Sequence, residues 1–220
     1  MENNRSVIII GGGSSVSDLI NKGLWDKIKD KEVWALNSCF KFMPYSPKRI
    51  LWVDLSFFKQ FTKDLQTASE QGIGMVCKDH PIYKSKMYES IKTYPTVNDL
   101  KNLTNDKLYC GQGGFCGLFA LSLAIKEGYK NIYCLGYDFG PHPRTGKTHW
   151  YQDDFKKKGY QSSGVGVPTV YVQNGKPLDK IKCYEYYVQF LKEKTVYNVS
   201  SFSLIPYFPI VSAEDFFEQI

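Results

Sequence analysis

The sequence predicts an α/β fold, a single domain built on a mostly parallel sheet flanked by helices, and three observations predict it. First, short continuous apolar runs recur at Ser6–Ile10, Glu32–Leu36, Arg49–Val53 and Asn131–Leu135. Runs without polar alternation fit strands buried on both faces, as parallel sheets provide. Second, each run ends in a residue suited to a tight exit, namely Gly11, Asn37, Asp54 and Gly136. Third, Cys116–Glu127 is apolar nearly all round, which marks a buried helix, and Gly128 stops it just before the last of these runs. Helix, glycine stop and strand in quick succession make half of a βαβ unit. A length of 220 residues, 43% of them hydrophobic and 23% charged, fits one globular domain over residues 1–220.

The remaining elements follow in chain order. Gly11-Gly12-Gly13-Ser14-Ser15 leaves the first strand, and Ser14 or Ser17 is placed to cap a helix through Leu19, Ile20 and Leu24. Residues 56–109 read as less regular, with a strand at Gly72–Cys77 and a lysine-rich stretch of loop and short helix over 84–109. Residues 141–180 carry four prolines and read as a long functional loop with a strand at Val167–Val172. Ile181–Lys194 predicts a helix and Thr195–Val199 a last strand.

Composition excludes several classes. The longest purely aliphatic run is Val7–Ile10, far below the roughly 18 residues needed to cross a bilayer, so no membrane span is expected. No basic segment with a long apolar stretch follows Met1, so no secretory leader is expected. Cys39, Cys77, Cys110, Cys116, Cys134 and Cys183 form no CxxC pair and read as reduced thiols of a cytoplasmic protein. The formal charge of +6 raises a nucleic-acid reading, yet only three of the 28 basic residues are arginine, the usual bidentate reader of phosphate and guanine. The same charge suits an anionic sugar nucleotide. The sequence assigns no oligomeric state.

Candidate site residues gather at the strand exits. Gly11, Gly12, Gly13 and Ser14 form a turn on which a phosphate can approach the backbone. The dinucleotide pattern GxGxxG fails, because position 16 is Val. Asn37 and Asp54 follow successive strands, where ligand contacts concentrate in such sheets, although both residue types also serve as turns and caps. Gly111–Gly117 holds Gly114, Cys116 and Gly117; the glycines allow close approach to a ligand or tight helix packing. Cys116 is either a thiol activated at a helix start or a structural cysteine. Asp138 leaves the clearest strand and is placed to bind a ribose, a metal or an acceptor, or to cap its own loop. Gly146-Lys147-Thr148 resembles a P-loop tail but lacks the glycine five residues earlier. His149 sits beside Asp153 and Asp154, and histidine is the natural base for a hydroxyl near neutral pH.

Gly11–Leu19 (GGGSSVSDL), Asn37 with Phe40, and Gly117–Phe139 (GLFALSLAIKEGYKNIYCLGYDF) together resemble bacterial CMP-sialic-acid-dependent sialyltransferases with a Rossmann-like fold. They also resemble the wider group of motility accessory factors and hydroxymethylpterin pyrophosphokinases, with small phage-encoded members similar in length. The middle of the chain and residues 141–180 match poorly. The resemblance implies that Gly11–Ser14, Asn37, Cys116–Gly117 and Gly136–Phe139 (Gly136, Tyr137, Asp138 and Phe139) line the nucleotide. Its catalytic histidine falls near Asp179, where this chain has none, so His149 is assigned from its chemistry, with Asp154 or Asp179 as substitutes.

The expectation is a glycosyltransferase that moves a sugar from a CMP- or UDP-type donor to a hydroxyl acceptor, with Asp138 beside the reaction centre. The nucleotide sugar is a co-substrate and no metal is required. The alternatives are a Mg²⁺-dependent pterin-type pyrophosphokinase, or a phage protein that modifies or binds DNA, with nucleic acid as the acceptor.

Overall fold

The structure, a computed structural model, describes residues 5–84, 90–95, 104, 116–160, 170–173 and 176–220. Seven strands form its central sheet: β1 (Ser6–Ile10), β2 (Val33–Leu36), β3 (Arg49–Trp52), β4 (Gly74–Lys78), β5 (Ile91–Tyr94), β6 (Asn131–Leu135) and β9 (Thr195–Asn198). Their order is β5-β4-β3-β2-β1-β6-β9 and every pairing is parallel. The chain starts in the middle, steps outward to β5, then returns to the other side of β1. Strand order therefore reverses between β1 and β6, which pair from Ser6↔Asn131 to Ile10↔Leu135. In open α/β sheets such a reversal leaves a crevice at the carboxyl ends of the strands.

The alternation hidden inside the continuous apolar runs sorts them onto two buried faces. Val7, Ile9, Trp34, Leu36, Leu51 and Val76 pack on α4 (Cys116–Lys126). Ile8, Ile10, Val33, Tyr133 and Leu135 pack on α1 (Val16–Ile20), α2 (Leu24–Ile28) and α7 (Ala213–Gln219). Ala35, Ile50, Trp52, Met75 and Cys77 extend that second face beneath α3 (Leu55–Glu70) and α5 (Gln152–Lys157). Burial on both sides is why these strands read as continuous apolar runs.

Four stretches differ from expectation. Residues 56–109, expected to be mostly irregular, open with the 16-residue α3, whose Phe57, Phe58, Phe61, Leu65 and Ala68 make one buried stripe. They also supply the edge strand β5. The helix expected through Leu24 is two five-residue helices, α1 and α2, and the helix expected over Ile181–Lys194 shrinks to a 3-10 turn at Lys182–Tyr184 and α6 (Glu185–Val188). There the amides of Phe190 and Leu191 bond carbonyls only three residues back, a tighter winding that does not propagate. The long loop over 141–180 contains α5 and a two-stranded antiparallel ribbon, β7 (Val170–Gln173) with β8 (Lys176–Asp179). Among the described residues no helix is long and apolar enough to cross a membrane.

Candidate functional site

The crevice at the β1–β6 reversal is built from backbone. The amide of Gly11 donates to Leu135 O at 2.7 Å and that of Gly13 to Gly136 O at 3.0 Å, so the two strand exits are tied together. Neither exit tolerates a side chain at its closest point. A Cβ on Gly13 would lie 2.5 Å from Gly136 O and 2.6 Å from Asp138 Oδ2, and Gly136 itself holds φ +70°.

Asp138, 1% exposed, locks this turn from below. Its Oδ2 accepts the Ser15 amide at 2.8 Å and its Oδ1 accepts the Ser15 hydroxyl at 2.5 Å. The expected capping of the first helix by Ser14 or Ser17 is thus replaced by Ser15 and a carboxylate from another strand exit. Ser15 makes no side-chain cap of its own. Both Asp138 oxygens are engaged in holding the turn.

His149 reaches the crevice because its segment is stapled to the same turn. Gly13 and His149 form an antiparallel bridge, the Trp150 amide donates to Gly12 O at 3.1 Å, and the Trp150 indole donates to Gly11 O at 3.1 Å. A short relay orients the imidazole. The Thr148 amide donates to Gln152 Oε1 at 3.2 Å, which fixes that oxygen as the acceptor for the Thr148 hydroxyl at 3.3 Å. The hydroxyl has one proton, so it accepts from His149 Nδ1 at 3.0 Å and leaves a lone pair on Nε2 beside Gly12. Burial lowers the pKa of His149 below its ordinary value, opposed by the nearby Asp138 charge. The ring is therefore neutral and basic at pH 7.

Two crevice residues hold backbone angles that non-glycine residues seldom adopt: Asn37 with φ +48° and Phe139 with φ +58°. Strain of this kind collects at ligand sites. Asn37 Oδ1 is also buried and accepts no hydrogen bond from the described residues. A buried acceptor without a donor is costly and points to a ligand donor.

The structure brings most of the expected residues to one crevice: Gly11, Gly12, Gly13, Asn37, Cys116, Gly117, Gly136, Tyr137, Asp138, Phe139 and His149 all line it. Others lie elsewhere. Ser14 faces a separate recess behind the turn. Asp54 lies outside the crevice lining, two residues past β3 and just before α3; desolvation raises its carboxyl pKa, opposed by Lys78 and Lys180. Asp154 does not reach the crevice. α5 turns Phe155 inward and leaves Asp154 exposed, 3.6 Å from Lys157. Asp179 spends Oδ1 on the amides of Ile181 and Lys182 at 2.9 and 3.2 Å and also lies outside. Gly114 falls outside the described residues. Cys116 is not activated: its thiol donates to Leu51 O at 3.2 Å, and burial pushes its pKa well above the ordinary thiol value. It is a structural cysteine.

Sequence reasoning missed Tyr151, Tyr184 and Lys180, which also line the crevice. Burial raises both phenol pKa values well above normal, so each keeps its proton and can donate it in a hydrogen bond. Lys180 is the one cation lining the crevice among the described residues. The one sequence signal for the tyrosines was an aromatic excess, 16 Tyr and 14 Phe in the chain, which names no position. Among the described residues no group of three or more His, Cys, Asp or Glu side chains could hold a metal ion.

A glycine-built crevice at the strand reversal of a parallel sheet is where open α/β proteins place their ligands. The chain matches no family model and no curated protein. Solved structures do share its fold. A variant of the sialyltransferase CST-II in complex with CMP aligns with a TM-score of 0.53 and 17% identity over 96% of this chain and 88% of that one. The monofunctional alpha-2,3-sialyltransferase Cst-I from Campylobacter jejuni gives 0.54 and 18%, over 98% and 83%. CstII from Campylobacter jejuni, in complex with the substrate analogue CMP-3FNeuAc, gives 0.54 and 17%, over 96% and 87%. The chain thus has the Rossmann-like fold of these sialyltransferases.

Proposed function

We propose that the protein transfers a glycosyl group from a nucleotide sugar of the CMP or UDP type to a hydroxyl acceptor. One observation carries the proposal: the glycine-built exits of β1 and β6, the unpartnered Asn37 Oδ1 and a neutral, oriented His149 share one crevice. That crevice lies in a fold whose solved relatives were captured with CMP and with a CMP-sugar analogue.

In this reading Asn37 Oδ1 accepts a hydrogen bond from the nucleoside, and the turn at Gly11–Gly13 lets the sugar phosphate approach the backbone. His149 Nε2 takes the proton of the acceptor hydroxyl as its oxygen bonds to the anomeric carbon. The bond from that carbon to the phosphate oxygen breaks, and the nucleotide departs with the electron pair. Lys180 and the hydroxyls of Tyr151 and Tyr184 face this region and supply positive charge and hydrogen bonds for the departing phosphate. Asp138 acts as a positioning residue by holding the turn and favouring the imidazolium once it forms. No metal is invoked.

The test is hydrolysis and transfer assayed with CMP-sugar and UDP-sugar donors in the presence of chelator. The expected result is turnover that survives chelation and falls about 10²–10⁴-fold in His149→Ala. Turnover lost entirely in chelator overturns the metal-free reading, and full activity in His149→Ala overturns the base assignment.

A further inference from the structure

Behind the glycine turn, on the side away from the crevice, lies a second recess of about 380 Å³. We propose that it is a second ligand site, for a small hydroxylated acid such as a sugar carboxylate or a sugar phosphate. Its floor is one face of α1 and its wall is the loop from His142 to Lys147. The loop folds back on itself, with the His142 amide on Lys147 O at 2.8 Å and the Gly146 amide on His142 O at 2.9 Å.

At the recess, hydrogen-bond donors outnumber acceptors. Asp18 is the one carboxylate lining the recess, and it is already held. His142, 4% exposed, accepts the Arg144 amide at Nδ1 (3.1 Å), which leaves its proton on Nε2, 3.2 Å from Asp18 Oδ2. Arg144 Nη2 donates to Asp18 Oδ1 at 2.9 Å. What remains to meet a ligand is a set of donors. The Ser14 hydroxyl belongs to a residue only 1% exposed and has no partner, a cost that a ligand oxygen would remove. Ser17 and Asn21 add a hydroxyl and an amide. The rest of the Arg144 guanidinium, on a side chain 75% exposed, stands at the same recess, while the Lys147 ammonium is held by Asp153 at 2.6 Å. A planar guanidinium pairs bidentately with carboxylate or phosphate. A bare anion leaves Ser17 and Asn21 unused, and a neutral sugar leaves the guanidinium unused. A sugar acid uses all of them.

The site is separate from the donor crevice, so its test stands apart from the transferase proposal. Glucuronate, glucose 6-phosphate and glucose are titrated into the full chain, with amide NMR shifts as the readout, in wild type, Arg144→Gln and Asn21→Leu. The expected result is saturable binding of at least one of the two acids, with shifts centred on 14–21 and 142–147. Glucose binds at least tenfold more weakly. The affinity for the acid falls at least tenfold in both variants, and their unperturbed spectra elsewhere report an intact fold. Which acid saturates first decides between carboxylate and phosphate. No saturation by either acid below about 10 mM, binding of glucose equal to that of the acids, or acid affinity unchanged in both variants overturns the proposal.

Discussion

At the scale of single residues, His149 is the proposed base of the crevice and Asp138 holds the turn beside it. The relay from Gln152 through Thr148 fixes the imidazole tautomer, so Thr148→Val should release it. The expected outcome is lower kcat with little change in KM, while the fold and nucleotide binding persist; steady-state kinetics check it. The pH profile carries a sign. Because burial lowers the folded pKa of His149, the acidic limb of kcat/KM should lie below the ordinary histidine value of about 6.5. Stability follows the same sign: as pH falls below about 6.5, the unfolded chain takes a proton that the folded one refuses, so stability falls until the folded pKa is passed. His149→Gln should flatten that acid-side loss in melts run across pH. Asp138→Asn replaces a two-oxygen acceptor of the Ser15 amide and hydroxyl with a group offering one. A charge-assisted bond is lost, and a stability drop of about 1.5–3 kcal/mol is expected in denaturant melts. The histidine was legible in the sequence because one of three histidines sat among polar partners. The carboxylate was legible as a position, while its role depends on Ser15, which no spacing rule connects to residue 138.

At the scale of elements, the two central glycines of the first turn should respond differently to the same change. In Gly13→Ala the new methyl would meet backbone, 2.5 Å from Gly136 O, so the β1–β6 exit must open and folding should fail or lose several degrees of Tm. In Gly12→Ala it would lie 2.6 Å from His149 Cδ2, a side-chain atom that can swing aside. That variant should fold with a normal circular dichroism spectrum and lose turnover. The strands β1, β2, β3, β6 and β9 and the helix α4 were legible because continuous apolar runs and glycine stops carry local signals. α3 was not: its stripe at Phe57, Phe58, Phe61, Leu65 and Ala68 is interleaved with charge and bends at Phe61, although Gly72 stops it with φ +80°. Asp154 was misplaced for a related reason. Sequence adjacency to His149 says nothing about which face of α5 turns inward, and Phe155 decides it.

At the scale of the whole molecule, strand order turns scattered residues into a site. Reversal between β1 and β6 brings residues 11–13, 37, 136–139 and 149 to one edge, and only pairwise strand contacts encode that order. The net charge of +6 takes a narrower meaning as well. Arg5 packs on Tyr129 with its guanidinium 4.3 Å from the ring centre, Arg49 pairs with Glu127 at 2.7 Å, and Arg144 pairs with Asp18 at 2.9 Å. With each of the three arginines holding an intramolecular partner, although Arg144 keeps N–H groups free for a small ligand, no sequence-specific DNA binding is expected in a mobility-shift assay at physiological salt. The central claim is that the crevice is a nucleotide-sugar site that works without a metal. The most direct measurement is a thermal-shift titration with CMP, UDP, GDP and ATP, each with and without chelator. A ligand that binds the native state raises Tm by mass action. The account predicts a saturable rise with CMP or UDP that chelator leaves unchanged and that Asn37→Ala weakens. A rise with ATP alone, dependent on Mg²⁺, would contradict it.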